Sequence, residues 1–378
     1  MTATADAPTL TPFTVAVPEA ELADLRRRLH ATRWPDPQTV PDWSQGAPLP
    51  YVRDLAEYWA REYDWRATEA RLAELPQYRV TLDGLGVHLV HLRSPHPGAR
   101  PLLITHGWPG TFVEQLDVLA DLVDPPDPAD AFHVVCPSLP GFGFSERPAG
   151  PGWGVERIAA AWVELMGLLG YERFGLHGGD WGSYVSSTIA LRYPDRVTGL
   201  HLTMPVAAKP ETPVELDAAD QAKLAAAYAD WRSGSGYASI QSTRPQTLGY
   251  GLTDSPVGQL AWIAEKFWEW ADHDDDLDAV VPRDRLLDTV STHWFARTAA
   301  SSARLYWESY QRVSTEPVAV PTGCSIFPGN AWMPRAWCER RFTDLRSWHE
   351  LASGGHFPAL EAPRVLAAEL RAFFGGLR

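Results

Sequence analysis

The feature that most constrains the fold is an alternation of short apolar segments with amphipathic helical segments. Glycine and proline turns end the apolar runs PLLITHGWPG and AFHVVCPSLPGFG, and the helical segment VERIAAAWVELMGLLGYE follows them. Further along, the helical segment SYVSSTIALRYPDR leads into the strand-like segment VTGLHLTMP. Strands that alternate with helices of this length predict an α/β fold, in which helices cover both faces of a mostly parallel sheet.

The alternation is interrupted once, between residues 206 and 313. This stretch is helical, acidic and aromatic, and its clearest helix is AWIAEKFWEWADHDDD. Strand and helix then return with VAVPTGCSIFPGN and EAPRVLAAELRAFFGG. An insertion that leaves the carboxyl edge of a sheet covers the ligand crevice formed there, so we expect residues 206–313 to be a helical cap.

The N-terminal part has a different character from the alternating region. It contains helical spacing in EAELADLRRRLHATRW and YVRDLAEYWAREY, and the segment YRVTLDGLGVHLVHLRS after it predicts an antiparallel hairpin at a sheet edge, turning at Asp83-Gly84. The expected organisation is an N-terminal wrapping segment (1–76), a first part of the core (77–205), the helical cap (206–313) and a second part of the core (314–378).

Composition limits the partners of such a fold. A formal net charge of −14 argues against nucleic acid and anionic membranes, because both repel an acidic surface. The first twenty residues carry no long apolar run and no basic start, so neither a signal peptide nor a membrane anchor is expected. Cys136, Cys324 and Cys338 form no CxxC pair, which predicts a reducing, cytoplasmic setting without a structural metal site. Most of the 17 tryptophans are expected in the core, and some of them around a roomy pocket.

The segment GGDWGS, residues 178–183, has the spacing of a sharp strand-to-helix turn that presents a nucleophile. Small residues two positions before and two after Asp180 are required there, because neighbouring backbone comes too close for side chains. The position usually holds serine, so Asp180 indicates a carboxylate nucleophile, with a helix-capping aspartate as the alternative. Ser183 lies a turn into the helix, which excludes a serine esterase at this site.

Two further loops predict the partners of this nucleophile in an α/β-hydrolase fold. HGWPG closes an earlier strand, where the backbone N–H of Trp108 would complete an oxyanion hole with that of Trp181. His106 in that loop is expected to have a structural role. His356, in the glycine-flanked loop GGHFPALEAP before the last helix, is the predicted general base, because the nucleophile, the acid and the histidine follow in that chain order.

These motifs carry a family resemblance that spans nearly the whole chain. It rests on five segments: EYDWRATEARLAELPQYRV, HGWPG, GGDWGS, GYASIQSTRPQTLGYGLTDSPVGQLAWIAEKF and GGHFPALEAP. On these segments the chain resembles the microsomal-type epoxide hydrolases, and it looks like a soluble member because it lacks the N-terminal anchor of the membrane-bound members.

The resemblance implies a two-step hydrolysis of an epoxide. Asp180 would attack an epoxide carbon and form an ester, while Tyr237 and Tyr306, which match the family's two cap tyrosines, protonate the opening oxygen. A water molecule deprotonated by His356 would then attack the ester carbonyl. A serine would leave a stable ether, whereas an ester can be hydrolysed. The expected partners are a small-molecule epoxide and water, with no cofactor and no metal.

The sequence departs from the family pattern at the third triad position. The turn FPGNAWMPR carries Asn330 where an aspartate or glutamate is expected. Its amide oxygen can orient His356 but cannot stabilise the imidazolium by charge, and the amide can present its NH₂ instead. The alternatives are an acid relocated to the strand before the cap, where Glu211 is the nearest carboxylate, a changed chemistry, and a catalytically weak binding protein.

Other functions remain open at this point. A haloalkane dehalogenase uses the same aspartate and histidine, although the two cap tyrosines favour an epoxide. A non-catalytic ligand-binding member of the fold is the alternative from a different class. The tryptophan content favours a bulky or aromatic epoxide, such as a secondary metabolite. The sequence does not decide between a monomer and a homodimer.

Overall fold

The computed structural model describes residues 9–377 of the chain, and within them one sheet of nine strands. The strands are β1 (Thr11–Pro12), β2 (Gln77–Leu82), β3 (Leu85–Leu92), β4 (Arg100–Thr105), β5 (Phe132–Pro137), β6 (Phe174–Gly178), β7 (Val197–Leu202), β8 (Thr322–Ile326) and β9 (Leu345–Glu350). Their order in the sheet is β1-β2-β3-β5-β4-β6-β7-β8-β9. The pairs from β5 to β9 are parallel and those from β1 to β5 are antiparallel, which confirms the predicted mostly parallel sheet.

Helices surround this sheet and fill the interruption in it. The α-helices are α1 (Glu19–His30), α2 (Leu49–Arg61), α3 (Trp65–Ala73), α4 (Leu116–Val123), α5 (Val155–Leu168), α6 (Asp180–Arg192), α7 (Ala218–Gly234), α8 (Gly236–Thr243), α9 (Pro245–Asp254), α10 (Pro256–Trp270), α11 (Leu277–Val280), α12 (Arg283–Ala296), α13 (Ala299–Ser309), α14 (Arg335–Arg341), α15 (Pro358–Glu361) and α16 (Pro363–Gly375). Short 3₁₀ helices span Phe112–Gln115, Pro128–Asp130 and Pro194–Arg196. No described helix is long and apolar enough to cross a membrane.

The predicted hairpin is confirmed as β2 and β3. Asp83 and Gly84 connect the strands with φ angles of 46° and 78°, the left-handed conformation that a two-residue hairpin turn of this hand requires. The outermost position is taken by β1, which pairs with β2. The N-terminal segment therefore adds a strand to the sheet in addition to its helices.

Alternating side chains of the central strands divide the core between the two faces of the sheet. Leu102 and Ile104 of β4 pack in one cluster with residues of α4 and α16, whereas Leu103 packs in the other with residues of α5 and α6. All three leucine and isoleucine side chains are fully buried. Burial of each one contributes about 1.5–3 kcal/mol to folding. The period-2 pattern thus fixes which way the strand faces.

The helical insertion leaves the sheet after β7 and returns before β8, which are parallel neighbours. Within it, α13 packs against α8 and α9, and α10 packs against α12 and against α2 of the N-terminal segment. The helix predicted over AWIAEKFWEWADHDDD ends at Trp270, so the acidic run lies outside it. The chain leaves the helix there because its next groups bind the loop that holds His356, as described below.

Candidate active site

The turn that carries Asp180 is built by the two glycines that flank it. Asp180 begins α6 directly after β6 and has a φ of 46°. A Cβ atom on Gly178 would come within 2.3 Å of the Gly182 backbone, and one on Gly182 within 1.8 Å of the Thr105 carbonyl oxygen. Both positions therefore exclude any side chain, which is the physical reason for the spacing in the sequence.

Two backbone amides hold the Asp180 carboxylate. The Trp108 N–H donates to Asp180 Oδ1 at 2.7 Å, and the Trp181 N–H also donates to the carboxylate. The loop approaches so closely that a Cβ on Gly107 would lie 2.2 Å from Oδ1. Burial raises the pKa of Asp180 to about 6, against the lowering effect of the two amides. The group is therefore largely ionised at neutral pH, and both predicted oxyanion donors contact its carboxylate.

His356 lies beside the nucleophile in the orientation that a general base requires. Its Nε2 is 3.7 Å from Asp180 Oδ2, and its Nδ1 is 2.8 Å from Asn330 Oδ1. The His356 backbone N–H donates to the Trp270 carbonyl at 2.9 Å, which ties the loop to the end of α10. Burial lowers the pKa of His356 to about 4, so the ring is neutral and able to accept a proton near pH 7.

The amide of Asn330 is held with its oxygen towards His356. Its Nδ2 donates to the Thr203 carbonyl at 2.9 Å, and the Ala331 N–H donates to its Oδ1 at 2.8 Å. Because both partners have fixed donor or acceptor character, only this orientation satisfies them. His356 must then carry its proton on Nδ1, which leaves Nε2 as the acceptor facing Asp180.

The structure disfavours a relocated acid. Glu211 is exposed, and no described carboxylate lies within hydrogen-bond distance of His356 Nδ1. The two carboxylates near the histidine loop bind its backbone instead: Asp272 accepts from the Gly354 N–H and Glu361 from the Phe357 N–H, each at 2.8 Å.

The two cap tyrosines lie over the residues that hold the nucleophile. The Tyr237 ring, on α8, stacks on Trp108 with a centroid distance of 5.1 Å. The Tyr306 ring, on α13, meets Trp181 edge-on at 4.8 Å, and the two tyrosine rings are 5.8 Å apart. Burial above all, and also the charge of Asp180, raises the pKa of both phenols. Both therefore stay protonated and can donate at neutral pH.

Two residues of α10 complete the site and were not identified from the sequence. Trp270 places its ring 4.9 Å from that of His356 and 5.3 Å from that of Tyr237. Lys266, buried among aromatic rings, places its ammonium 4.8 Å from the centroid of Tyr237. A lysine inside the aromatic helical run AEKFWEW was the available signal, because a lysine on a buried helical face needs a partner.

A small cavity, with about 30 Å³ of room for the centres of water-sized groups, adjoins Asp180 and His356. Its lining comprises Gly107, Trp108, Gly110, Glu114, Gln115, His177, Gly179, Asp180, Thr203, His356, Phe357, Pro358, Ala359 and Leu366. Within residues 9–377, no group of three or more His, Cys, Asp and Glu side chains is placed to hold a metal ion. The three cysteines are buried and unpaired with one another.

Known proteins resemble this chain over almost its full length. The family described as "Epoxide hydrolase N terminus" matches residues 10–115, and the one described as "alpha/beta hydrolase fold" matches residues 100–235. A putative epoxide hydrolase of Stigmatella aurantiaca is 48% identical over 98% of this chain and 86% of its own length. Epoxide hydrolase 1 of Sus scrofa is 32% identical over 99% of this chain and 90% of its own length.

Solved structures agree with this assignment. The epoxide hydrolase of Aspergillus niger superposes with a TM-score of 0.90 and 32% identity, over 98% of this chain and 97% of that one. The comparison confirms the predicted α/β-hydrolase fold. On this similarity in sequence and structure, the chain belongs to the microsomal-type epoxide hydrolase family.

Proposed function

We propose that this protein opens an epoxide to a vicinal diol through a covalent ester on Asp180. The observation that carries the proposal is the position of one buried carboxylate between two backbone amides, two protonated tyrosines and a neutral histidine. This set supplies a nucleophile, acids for the ring oxygen and a base for water, and the family to which the chain belongs supports the same chemistry.

The first step is an alkylation of Asp180. Its Oδ1 accepts from the Trp108 backbone N–H, and in the proposed step Oδ2 attacks the epoxide carbon from the side opposite the ring oxygen. The carbon–oxygen bond of the ring breaks, and Tyr237 or Tyr306 donates its proton to the oxygen that is released. The product of this step is an ester of Asp180 and a phenolate on the cap.

The second step is hydrolysis of that ester. His356 Nε2 removes a proton from water, whose oxygen attacks the carboxyl carbon of Asp180. The negative charge then develops on Oδ1, which already accepts from the Trp108 N–H, and the Trp181 N–H also donates to this carboxyl group. The bond to the substrate oxygen breaks, and the imidazolium returns its proton to the departing diol. Asp180 is released as a carboxylic acid, and net transfer of its proton to the cap phenolate restores the resting enzyme. The new oxygen therefore remains on Asp180 in the first turnover.

The aromatic surroundings favour a bulky or aryl-substituted epoxide. One connected cluster of rings adjoins the residues that hold the nucleophile; it comprises Trp108, Trp181, Trp270, Tyr237 and Tyr306. Flat apolar surfaces of this kind bury an aromatic substituent well and gain from ring–ring contacts. We expect kcat/KM for aryl epoxides to exceed that for short alkyl epoxides.

A single-turnover experiment in H₂¹⁸O tests the mechanism. Enzyme in excess over an aryl epoxide should place ¹⁸O in the peptide that contains Asp180 and none in the diol. Label in the diol alone would mean direct attack by water and would refute the covalent route. The H356Q variant should accumulate an adduct of the epoxide's mass on the same peptide, whereas D180N should form neither adduct nor diol.

A further inference from the structure

A second carboxyl group, that of Glu114, lies in the same cavity as the nucleophile and has no role in the steps above. It sits in the 3₁₀ helix Phe112–Gln115 and is buried. Its Oε1 accepts from Gln115 Nε2 at 3.1 Å, and the Gly107 backbone also donates to the carboxyl. A Cβ on Gly110 would come within 1.9 Å of its Oε2, so the carboxyl packs directly on that glycine.

Within the described residues, the groups that shift the pKa of Glu114 include no lysine or arginine. A buried carboxyl without a cation is costly and is not needed to fill apolar space, since an apolar side chain would do so at lower cost. The wall of the same cavity contains Gln115 Oε1, a buried acceptor without a hydrogen-bond partner in the described chain. Buried acceptors of this kind are satisfied by water in proteins. Glu114, Gln115 and His356 thus supply polar partners for a water molecule beside Asp180.

The charge on Glu114 depends on the state of Asp180. Burial first, and then the negative charge of Asp180, raise the pKa of Glu114 to about 8, so it is mainly protonated while Asp180 is ionised. The other titratable groups that face it are uncharged near pH 7, because burial lowers the pKa of His177 and His356 and raises that of Cys136. The cavity therefore holds one negative charge in the resting enzyme.

Ester formation removes that charge from Asp180. The contribution of Asp180 to the raised pKa of Glu114 disappears in the intermediate, when His356 is about to become an imidazolium, while the larger contribution of burial remains. Asn330 gives His356 a hydrogen bond but no negative charge. Apart from Asp180, Glu114 carries the one carboxyl group in the lining of this cavity that can supply such a charge.

We propose that Glu114 is a second catalytic carboxyl of the hydrolysis step, which binds the attacking water together with His356 and supplies the negative charge that Asn330 lacks. The proposal rests on the ester mechanism proposed above. Once the ester has formed, Glu114 gives its proton to water, and a water molecule reprotonates the phenolate on the cap. When the ester is hydrolysed, Asp180 is released as a carboxylic acid, and its proton passes to Glu114. Protons and charge therefore balance over one turnover.

The test compares the E114Q variant in two backgrounds. Glutamine keeps the size and hydrogen bonding of the side chain but cannot ionise. In a rapid-quench experiment, ester formation and ester decay are followed separately by intact mass. We expect E114Q to slow ester decay by about 10²-fold, the lower end of the range for a proton-transfer group, and to slow ester formation far less. In the N330D background, where His356 has its own carboxylate, the same substitution should slow decay less than about tenfold.

Each other outcome overturns the proposal. Unchanged ester decay in E114Q removes the proposed role. Equal slowing of both steps, or equal slowing in both backgrounds, shows that Glu114 only supports the loop from Gly107 to Gly110. Formation of the ester by the E114Q sample in the rapid-quench experiment shows that this variant has folded. If the H356Q variant forms no ester, the covalent mechanism itself is refuted. If the ester forms but its decay does not depend on Glu114, only the role proposed for Glu114 is refuted.

Discussion

Replacing Asn330 with aspartate measures what the missing charge beside His356 costs. Loss of the acid in a serine-protease triad lowers the rate by about 10⁴, in part because the histidine takes the wrong tautomer. Here the Asn330 oxygen already faces Nδ1 at 2.8 Å, so the tautomer is correct and only the charge is missing. A hydrogen bond to a charged group contributes about 1.5–3 kcal/mol against about 1 kcal/mol for a neutral one. The difference, about 0.5–2 kcal/mol, corresponds to about 2–30-fold in rate.

The same substitution has a structural cost. In N330D the group that donates to the Thr203 carbonyl at 2.9 Å becomes an oxygen, so two acceptors face each other there. A buried carbonyl that loses its donor costs about 1–3 kcal/mol. We therefore expect N330D to speed ester decay by about 2–30-fold, as measured by rapid quench, and to lower the free energy of unfolding by about 1–3 kcal/mol, as measured with urea. A carboxylate at position 330 also raises the pKa of His356, so the acid limb of ester decay moves to higher pH.

Two results would contradict this reasoning. A gain near 10⁴ in ester decay would mean that Asn330 does not set the tautomer of His356. No gain, with the fold intact, would mean that charge at this position is irrelevant to the imidazolium. N330A is the matched control, because it removes both the oxygen and the donor and should slow ester decay while also destabilising the fold.

Three further predictions concern the nucleophile and its surroundings. The rate of single-turnover ester formation should decline about tenfold per pH unit below pH 6, because burial raises the pKa of Asp180 to about 6 and only the carboxylate attacks. A pH profile of ester formation with its midpoint near pH 4 would contradict the argument that burial raises this pKa. Y237F and Y306F should each slow ester formation less than the double variant, which should lose about 10²–10⁴-fold, and unchanged kinetics in the double variant would exclude both phenols as acids. G182A should lower the free energy of unfolding by about 3 kcal/mol or more, since its Cβ would lie 1.8 Å from the Thr105 carbonyl; a urea midpoint equal to that of the unchanged protein would show that the turn can open.

The order of elements was predictable because each one has a local cause. The Asp83-Gly84 turn determines its hairpin, and the glycines around Asp180 determine the strand-to-helix turn. The end of α10 at Trp270 was not predictable in the same way, since the helical pattern continues beyond it. The backbone there is diverted because the Trp270 carbonyl binds the His356 N–H, a contact 86 positions away in the chain. Strand β1 likewise exists only through its partner β2.

In the candidate site, too, residues marked by local motifs were predictable, whereas features set by long-range contacts were not. Asp180 and His356 lie in turns that require glycine at neighbouring positions, and these glycines are visible in the sequence. The orientation of Asn330 depends on the Thr203 carbonyl, which lies 127 positions away, and so the sequence left open whether the amide presents oxygen or NH₂. Glu114 is an ordinary polar residue in the run GTFVEQLDV and becomes notable only when the fold buries it. Long-range contacts of single side chains leave no periodic pattern for sequence analysis to detect.

The substitution of Asn330 for an acid has a physical consequence beyond His356. With aspartate there, the resting site would hold two carboxylates, and each would raise the pKa of the other and of Glu114. With asparagine, Asp180 is the one charged carboxylate in the cavity wall, and Glu114 remains available as a neutral acid until the ester forms. In the proposed mechanism a single negative charge moves from Asp180 to the cap phenolate and then to Glu114, so two carboxylates are never charged at once in the buried site. An amide at the third triad position is therefore compatible with hydrolysis when a second ionisable carboxyl lies within the same cavity.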